Sequence, residues 1–281
     1  MRVAVVTEAL SSKFFFPLWY RYYARQFGQA ALYVVSPAGA EDEFSAFTLG
    51  GVITLPRLEI DEARRSKTIS NFVRGLLGYY DFVLRVDTDE FLVADPRKFP
   101  SLSAYVDQLE LPYVTALGID VFQHPEEPTF DPDRGLLIEQ RRFGYLTSSM
   151  SKTSITSVAV DWGPGFHFCT LYPRFDDLFL FHLKRLDIEM QIAWFSEISG
   201  FDFRDKNMVN YYAPDIDKIR NFHGHTSRRP VVDGWDALDD VSFRDRFFEA
   251  VKLDKSSGIY RGAHFAQDTI VRLPKELQGH L

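Results

Sequence analysis

YDFVLRVDTDEFLV, residues 80–93, decides how the rest of the chain is read. Up to Val86 it is a β-branched and aromatic run of the kind that fills a strand buried on both faces. It then turns to three carboxylates, Asp87, Asp89 and Glu90, and resumes with an apolar trio, Phe91 to Val93. A polar surface turn would by itself explain DTDE, but acids set between two buried segments fit that account less well. Residues two apart on a strand share a face, so Asp87 and Asp89 converge if extended backbone persists to Asp89. Converging carboxylates repel one another unless a cation neutralises them. All-oxygen ligation suits Mg²⁺ or Mn²⁺, with substrate phosphates completing the shell. The chemistry that follows is departure of a phosphate leaving group, its charge stabilised by the metal.

The flanking pattern places this strand in an α/β domain. RVAVVT (2–7), AALYVVS (30–36) and GVITLP (51–56) read as strands. Between them lie a helix from Phe15 to Phe27, stopped by Gly28, and an amphipathic helix over 61–78. The alternation predicts a single mixed, mainly parallel central sheet flanked by helices, with the acids at the carboxyl edge where such sheets bind ligands. Further on, SLSAYVDQLE (101–110) and LDIEMQIAWFSEISG (186–200) read as helices, and YVTALGIDVFQ (113–123) as a strand. LLIEQRRFG (136–144), SKTSITSVAV (151–160) and DDLFLFHL (176–183) also read as strands, and HPEEPTFDPDRG (124–135) as a surface loop. Past 203 short helices and loops are expected. No repeat or linker interrupts the chain, so one domain is expected over 1–281.

Composition narrows the partners. Thirty-nine acidic residues against 32 basic ones, a net charge of −7, argue against a nucleic-acid partner. The single cysteine, Cys169, excludes an internal disulfide and a thiolate zinc cluster and fits a reducing, cytoplasmic compartment. The start, MRVAVVTEAL, lacks the pattern of a signal peptide. FFFPLWY (14–20) is too short to span a bilayer; it suits core packing and would also suit peripheral contact with a membrane surface.

YDFVLRVDTDEFLV resembles the DxD strand of GT-A fold glycosyltransferases, in particular the bacterial family-2-like group with a DxDEF motif. FPLWYRYYARQFG, IDVFQHPEEP, LLIEQRRFGY, SKTSIT, WGPGFHF and LFLFHLKRLD are similar to that group's other blocks, in order, over roughly residues 1 to 195. Tyr22 and Tyr23 stand where the group carries histidine-like positions, and TEALSS replaces its Asn-Glu dipeptide. The resemblance implies a nucleotide-diphosphate sugar donor bridged by Mn²⁺ or Mg²⁺ and a glycan or lipid-linked acceptor. It implies a nucleotide-sugar-binding half over 1–110, an acceptor-side half over 111–202 and an extension over 203–281. Asp87 would lie near the ribose or the metal, Asp89 would ligate the metal, and His182 would be a further ligand.

The remaining candidates are read from their neighbours. His182 ends an apolar run, where a histidine commonly bonds a backbone carbonyl, yet Lys184 and Arg185 follow it and could attract a diphosphate. Arg185 and Lys152 are taken as phosphate contacts, and His167, beside a Gly-Pro-Gly turn, as part of the pocket wall. Asp161, next to Trp162, and Asp120, inside an apolar strand, are the candidate bases for an acceptor hydroxyl. His223 and His225 form an H-x-H pair read as a surface loop. Two alternatives to sugar transfer stay open: a Mg²⁺-dependent phosphohydrolase with an aspartyl nucleophile, and a non-catalytic binding protein of the same fold.

Overall fold

The computed structural model describes residues 1–37, 41–56, 59–134, 137–213 and 215–280. In chain order the elements are β1 (Val3–Glu8), α1 (Phe15–Phe27), β2 (Leu32–Pro37), β3 (Gly51–Leu55), α2 (Glu62–Leu76), β4 (Phe82–Arg85), β5 (Glu90–Ala94), α3 (Leu102–Asp107) and β6 (Tyr113–Phe122). There follow α4 (Leu137–Gln140), β7 (Phe143–Leu146), β8 (Thr153–Thr156), β9 (Phe175–Arg185), α5 (Ile188–Ile198), α6 (Lys206–Tyr212) and α7 (Ile216–Thr226). Last come β10 (Val231–Asp233), α8 (Trp235–Leu238), α9 (Val241–Ala250), β11 (Lys252–Asp254), β12 (Ile259–Arg261) and β13 (Ile270–Arg272).

The N-terminal elements form for local reasons. Helix α1 buries Phe15, Phe16, Trp19, Tyr22 and Tyr23, and its proline, Pro17, sits in the first turn, where no intrahelical N–H is lost. Gly28, at φ 84°, ends it. In α2 the Asp61 carboxylate accepts from the N–H groups of Ala63 and Arg64, capping the helix, while Ile69, Val73 and Leu76 face the core. The FFFPLWY segment is thus core: Phe15, Phe16 and Trp19 are buried, not offered to a membrane. Among the described residues no helix is long and apolar enough to cross one.

Strands β3, β2, β1 and β4 lie side by side and parallel. The chain steps outward from β1 to β2 to β3, then returns to β4 on the other side of β1. Strand order therefore reverses between β1 and β4, and the crevice beyond their carboxyl ends is the position at which open α/β sheets bind ligands. Glu8 and Asp87 sit at those two ends. Beyond β4 antiparallel pairings dominate. The long β6 pairs along one edge with β8 in its first half and β7 in its second, and along the other edge with β9, which in turn carries β5.

Four expectations are corrected. The strand of the acids stops at Arg85; Thr88 and Asp89 form a turn, so Asp87 and Asp89 do not share an extended face. The segment expected as a strand over 136–144 begins as helix α4, because Gln140 folds back to bond the backbone of Asp131 and Arg134; only β7 is extended. Residues 135 and 136, where that loop and strand were to meet, lie outside the described residues. The region past 203 holds helices, as expected, but β13 also enters the main sheet beside β7, with Ile270 and Val271 buried. Finally, His223 and His225 lie on α7, where His223 is buried between the carbonyls of Gln123 and Gln191.

Gly118, in mid-β6, marks a close approach: a Cβ there would lie 2.3 Å from the carbonyl carbon of Met150. Gly75, on the exposed side of α2, has nothing within 4 Å of the same position. Urea denaturation should separate the two. Gly118→Ala is expected to destabilise by about 1–3 kcal/mol through overpacking, and Gly75→Ala to stabilise by about 0.4–1 kcal/mol.

Candidate metal and ligand site

The carboxyl ends of β1 and β4 open on a cavity of about 760 Å³. Its chemistry is placed by sheet register. His182 on β9 lies opposite Glu90 on β5 and, on its other side, opposite Asp120 on β6, which itself faces Tyr145 on β7. In-register neighbours share a face, so four polar side chains stand in one row across four strands.

His182 is the centre of this row. Its Nδ1 bonds Asp120, and its Nε2 lies 3.3 Å from Asp89. Burial disfavours the imidazolium, but the two carboxylates outweigh it and hold the pKa at about 10. Asp120 also accepts from the Tyr145 hydroxyl and from Arg185, each at 2.9 Å. Its burial is overcome by the charges of Arg185 and His182, which keep the carboxyl well below the usual carboxylate range. Arg185, whose guanidinium stacks 4.3 Å from the Phe222 ring centroid, is thus half engaged.

A second knot lies beside the first. The buried ammonium of Lys152 pairs with Glu90 and stands 3.4 Å from Asp87. Glu90 also accepts the Asp87 N–H at 2.9 Å. Asp87 is held at 2.5 Å by Arg85, which stacks on Phe166 at 3.4 Å. Partial burial of Asp87 is outweighed by Arg85, Lys152 and Arg65, so its carboxyl too lies far below the ordinary range. Burial raises Glu90, with Lys152 opposing. His167 is on the wall, its Nδ1–H donating to the Ser149 carbonyl at 2.6 Å; burial and then Lys152 push its pKa down to about 3, so the ring is neutral.

The donor set fits a divalent cation. Asp89, Glu90 and His182 are buried and each offers one ligand atom, all within 4.8 Å of one another. A carboxylate with an imidazole suits a divalent transition ion such as Mn²⁺ better than Mg²⁺, which prefers all-oxygen donors, and leaves positions for water or phosphate. Both Glu90 oxygens already have partners, so Asp89 and His182 carry this fit and Glu90 adds charge. Asp120 is then the orienting carboxylate behind the histidine.

Of the residues singled out in the sequence, Asp87, Asp89, Lys152, His167, His182, Arg185 and Asp120 all reach the cavity wall. Asp87 is not part of the metal-fit cluster; the turn at Thr88 puts Glu90 there instead. Asp161 is outside the cavity, exposed and paired with Arg74 at 2.8 Å. Asp120 is locked by three donors. Neither aspartate is a free base. Lys152, expected as a phosphate contact, pairs with Glu90 and stands 3.4 Å from Asp87. Sequence reasoning missed Glu90's role, and it missed Glu8 and Arg65, which bond at 2.9 Å across 57 residues with no local signal.

No family model and no curated protein matches this sequence. Among solved structures, the chain is similar to a mannose-1-phosphate geranyltransferase from Thermus thermophilus, with 10% identity and a TM-score of 0.34 over 99% of this chain and 77% of that one. It is also similar to a CMP:2-keto-3-deoxy-manno-octonic acid synthetase complexed with CTP, with 13% identity and a TM-score of 0.30 over 80% of this chain and 87% of that one. At such scores neither likeness assigns an activity to this chain.

A metal at Nε2 must displace a proton from a histidine whose pKa is about 10. Titration calorimetry with Mn²⁺ should therefore show affinity rising up to about tenfold per pH unit between pH 6.5 and 8.5. His182→Ala and Asp89→Asn should abolish binding, and Asp120→Asn should weaken it about 10–100-fold. Without metal the sign reverses. The raised pKa of His182 contributes stability that is fully present below its unfolded value of 6.5 and is lost as pH climbs toward about 10, readable as a falling Tm.

Proposed function

We propose that this chain is a metal-dependent glycosyltransferase that moves a sugar from a nucleoside-diphosphate donor to a hydroxyl of a glycan or lipid-linked acceptor. The observation that carries the reading is the Asp89–His182 pair, set in a large cavity at the point where strand order reverses. A second pocket of about 190 Å³ adjoins it, sharing Glu8, Leu10, Ile60 and Arg65 with the first. Its walls are largely apolar, from Val35, Pro37, Leu55, Pro56 and Ile69, and include Ser36, whose buried hydroxyl has no partner among the described residues. A small, mostly apolar pocket beside the larger one suits a nucleobase. The larger cavity has room for diphosphate, sugar and acceptor.

In the reaction the acceptor oxygen bonds to the anomeric carbon while the bond from that carbon to the diphosphate breaks, its electron pair leaving with the phosphate and the hydroxyl proton passing to an oxygen of the departing diphosphate. A bound divalent cation would offset the charge on that leaving group. Asp89 and His182 would hold the cation, Asp120 would keep the His182 ring in place, and Arg185 would face the phosphates with its free N–H groups. His167 would form part of the wall against which the sugar rests. The aspartyl phosphohydrolase alternative needs a free nucleophile at Asp87, and both oxygens of that carboxylate are taken by Arg85 and Lys152.

Thermal unfolding with Mn²⁺ and a panel of nucleoside diphosphates tests the donor. One nucleotide at about 100 times its Kd should stabilise wild type by about 2.7 kcal/mol, with the shift lost in Asp89→Ala. No shift with any nucleotide would sink the reading. Binding without Mn²⁺-dependent loss of the donor sugar would leave a non-catalytic binding protein.

A further inference from the structure

The six carboxylates on the cavity wall (Glu8, Glu62, Asp87, Asp89, Glu90 and Asp120) each have a cationic partner. The converse does not hold. Lys184, two residues beyond His182 on β9, is buried at the same wall and forms no ion pair among the described residues. Its ammonium donates to the Tyr211 hydroxyl at 2.7 Å and lies 4.3 Å from that ring's centroid. The rings of Trp194, Phe195 and Tyr212 complete a cage at 5.2, 5.2 and 5.1 Å.

Such a cage attracts a cation without neutralising it. Burying an ammonium that way is unfavourable unless an anion completes the site. Lys152 shows the contrasting case within the same cavity: equally buried, it is matched by Glu90 and Asp87. Arg229, the other cavity cation with no ion pair among the described residues, donates to the Gln267 carbonyl and is less buried. The cage is assembled from α5 and α6, which cover β9.

We propose that Lys184 is an anion-binding residue of the cavity beside Arg185, its ammonium taking a phosphate oxygen of the bound ligand while the four rings hold it in position. That the phosphate belongs to a nucleoside diphosphate rests on the function proposed above. The charge and the cage require only a phosphoryl oxyanion, whether from a nucleotide or from a free phosphate compound.

Calorimetry on wild type, Lys184→Met and Tyr211→Phe separates these sources. The probes are nucleoside diphosphates, the matching nucleosides and inorganic pyrophosphate, each with Mn²⁺. Lys184→Met is expected to weaken nucleoside diphosphate and pyrophosphate about 30-fold or more, with nucleoside affinity unchanged. Tyr211→Phe keeps the ring and removes only the hydroxyl, so it should fold even if Lys184→Met does not, and should weaken the same two ligands several-fold. Equal diphosphate affinity in wild type and both variants overturns the assignment of Lys184 and leaves the donor reading standing. If wild type binds pyrophosphate but no nucleotide, and the variants lose it, the donor reading falls and Lys184 stands. If wild type binds no phosphate compound, both fall.

Discussion

One rung of the sheet holds the site together. Glu90, His182, Asp120 and Tyr145 lie opposite one another on β5, β9, β6 and β7, so backbone hydrogen bonds alone bring them side by side. The register is enforced by apolar pairs along the same strands, among them Phe91 with Phe181, Leu92 with Leu180 and Val93 with Phe179. A slip of one residue would turn every side chain of β9 to the opposite face and put Phe181 or Leu183 where His182 belongs. Core packing and site geometry therefore depend on the same constraint.

The second constraint is charge. Buried ions are tolerated when they are paired and hydrogen-bonded, and this cavity is built on two such knots, one around His182 and one around Lys152. The turn that carries His167 belongs to the second. Gly165 and Phe166 both have positive φ, 73° and 60°, which glycine adopts freely and phenylalanine does not. The stacking of Arg85 on the Phe166 ring at 3.4 Å offsets that strain and fixes the turn against β4. A charged residue inside the strand run YDFVLRV thus has a structural purpose that its sequence context conceals.

Where local pattern was strong, it was legible. The helix of Phe15–Phe27 with its Gly28 stop, the Asp61 cap and the buried runs of β1, β2 and β4 follow from periodicity and turn chemistry. The gathering of Asp89 and His182 was expected from residue type and from resemblance, and they do meet. Asp161 and Asp120, the two candidate bases, stand in different settings. One sits in a promising neighbourhood but points to Arg74 at the surface. The other is in the cavity but is saturated with donors.

What the sequence determined by itself is the order of strands and helices up to β4, the position of the acids at the end of a buried strand, and the residue types available for chemistry. These are local properties, set by side-chain periodicity and backbone preference. Only the tertiary structure decided that Glu90 rather than Asp87 joins Asp89 and His182, that Asp120 orients the histidine, that Lys152 is neutralised, and that four rings surround Lys184. Each of those outcomes depends on register between distant strands or on helices packed across the sheet. Partners separated by 62 residues, as Asp120 and His182 are, leave no mark on either one's neighbours in the chain.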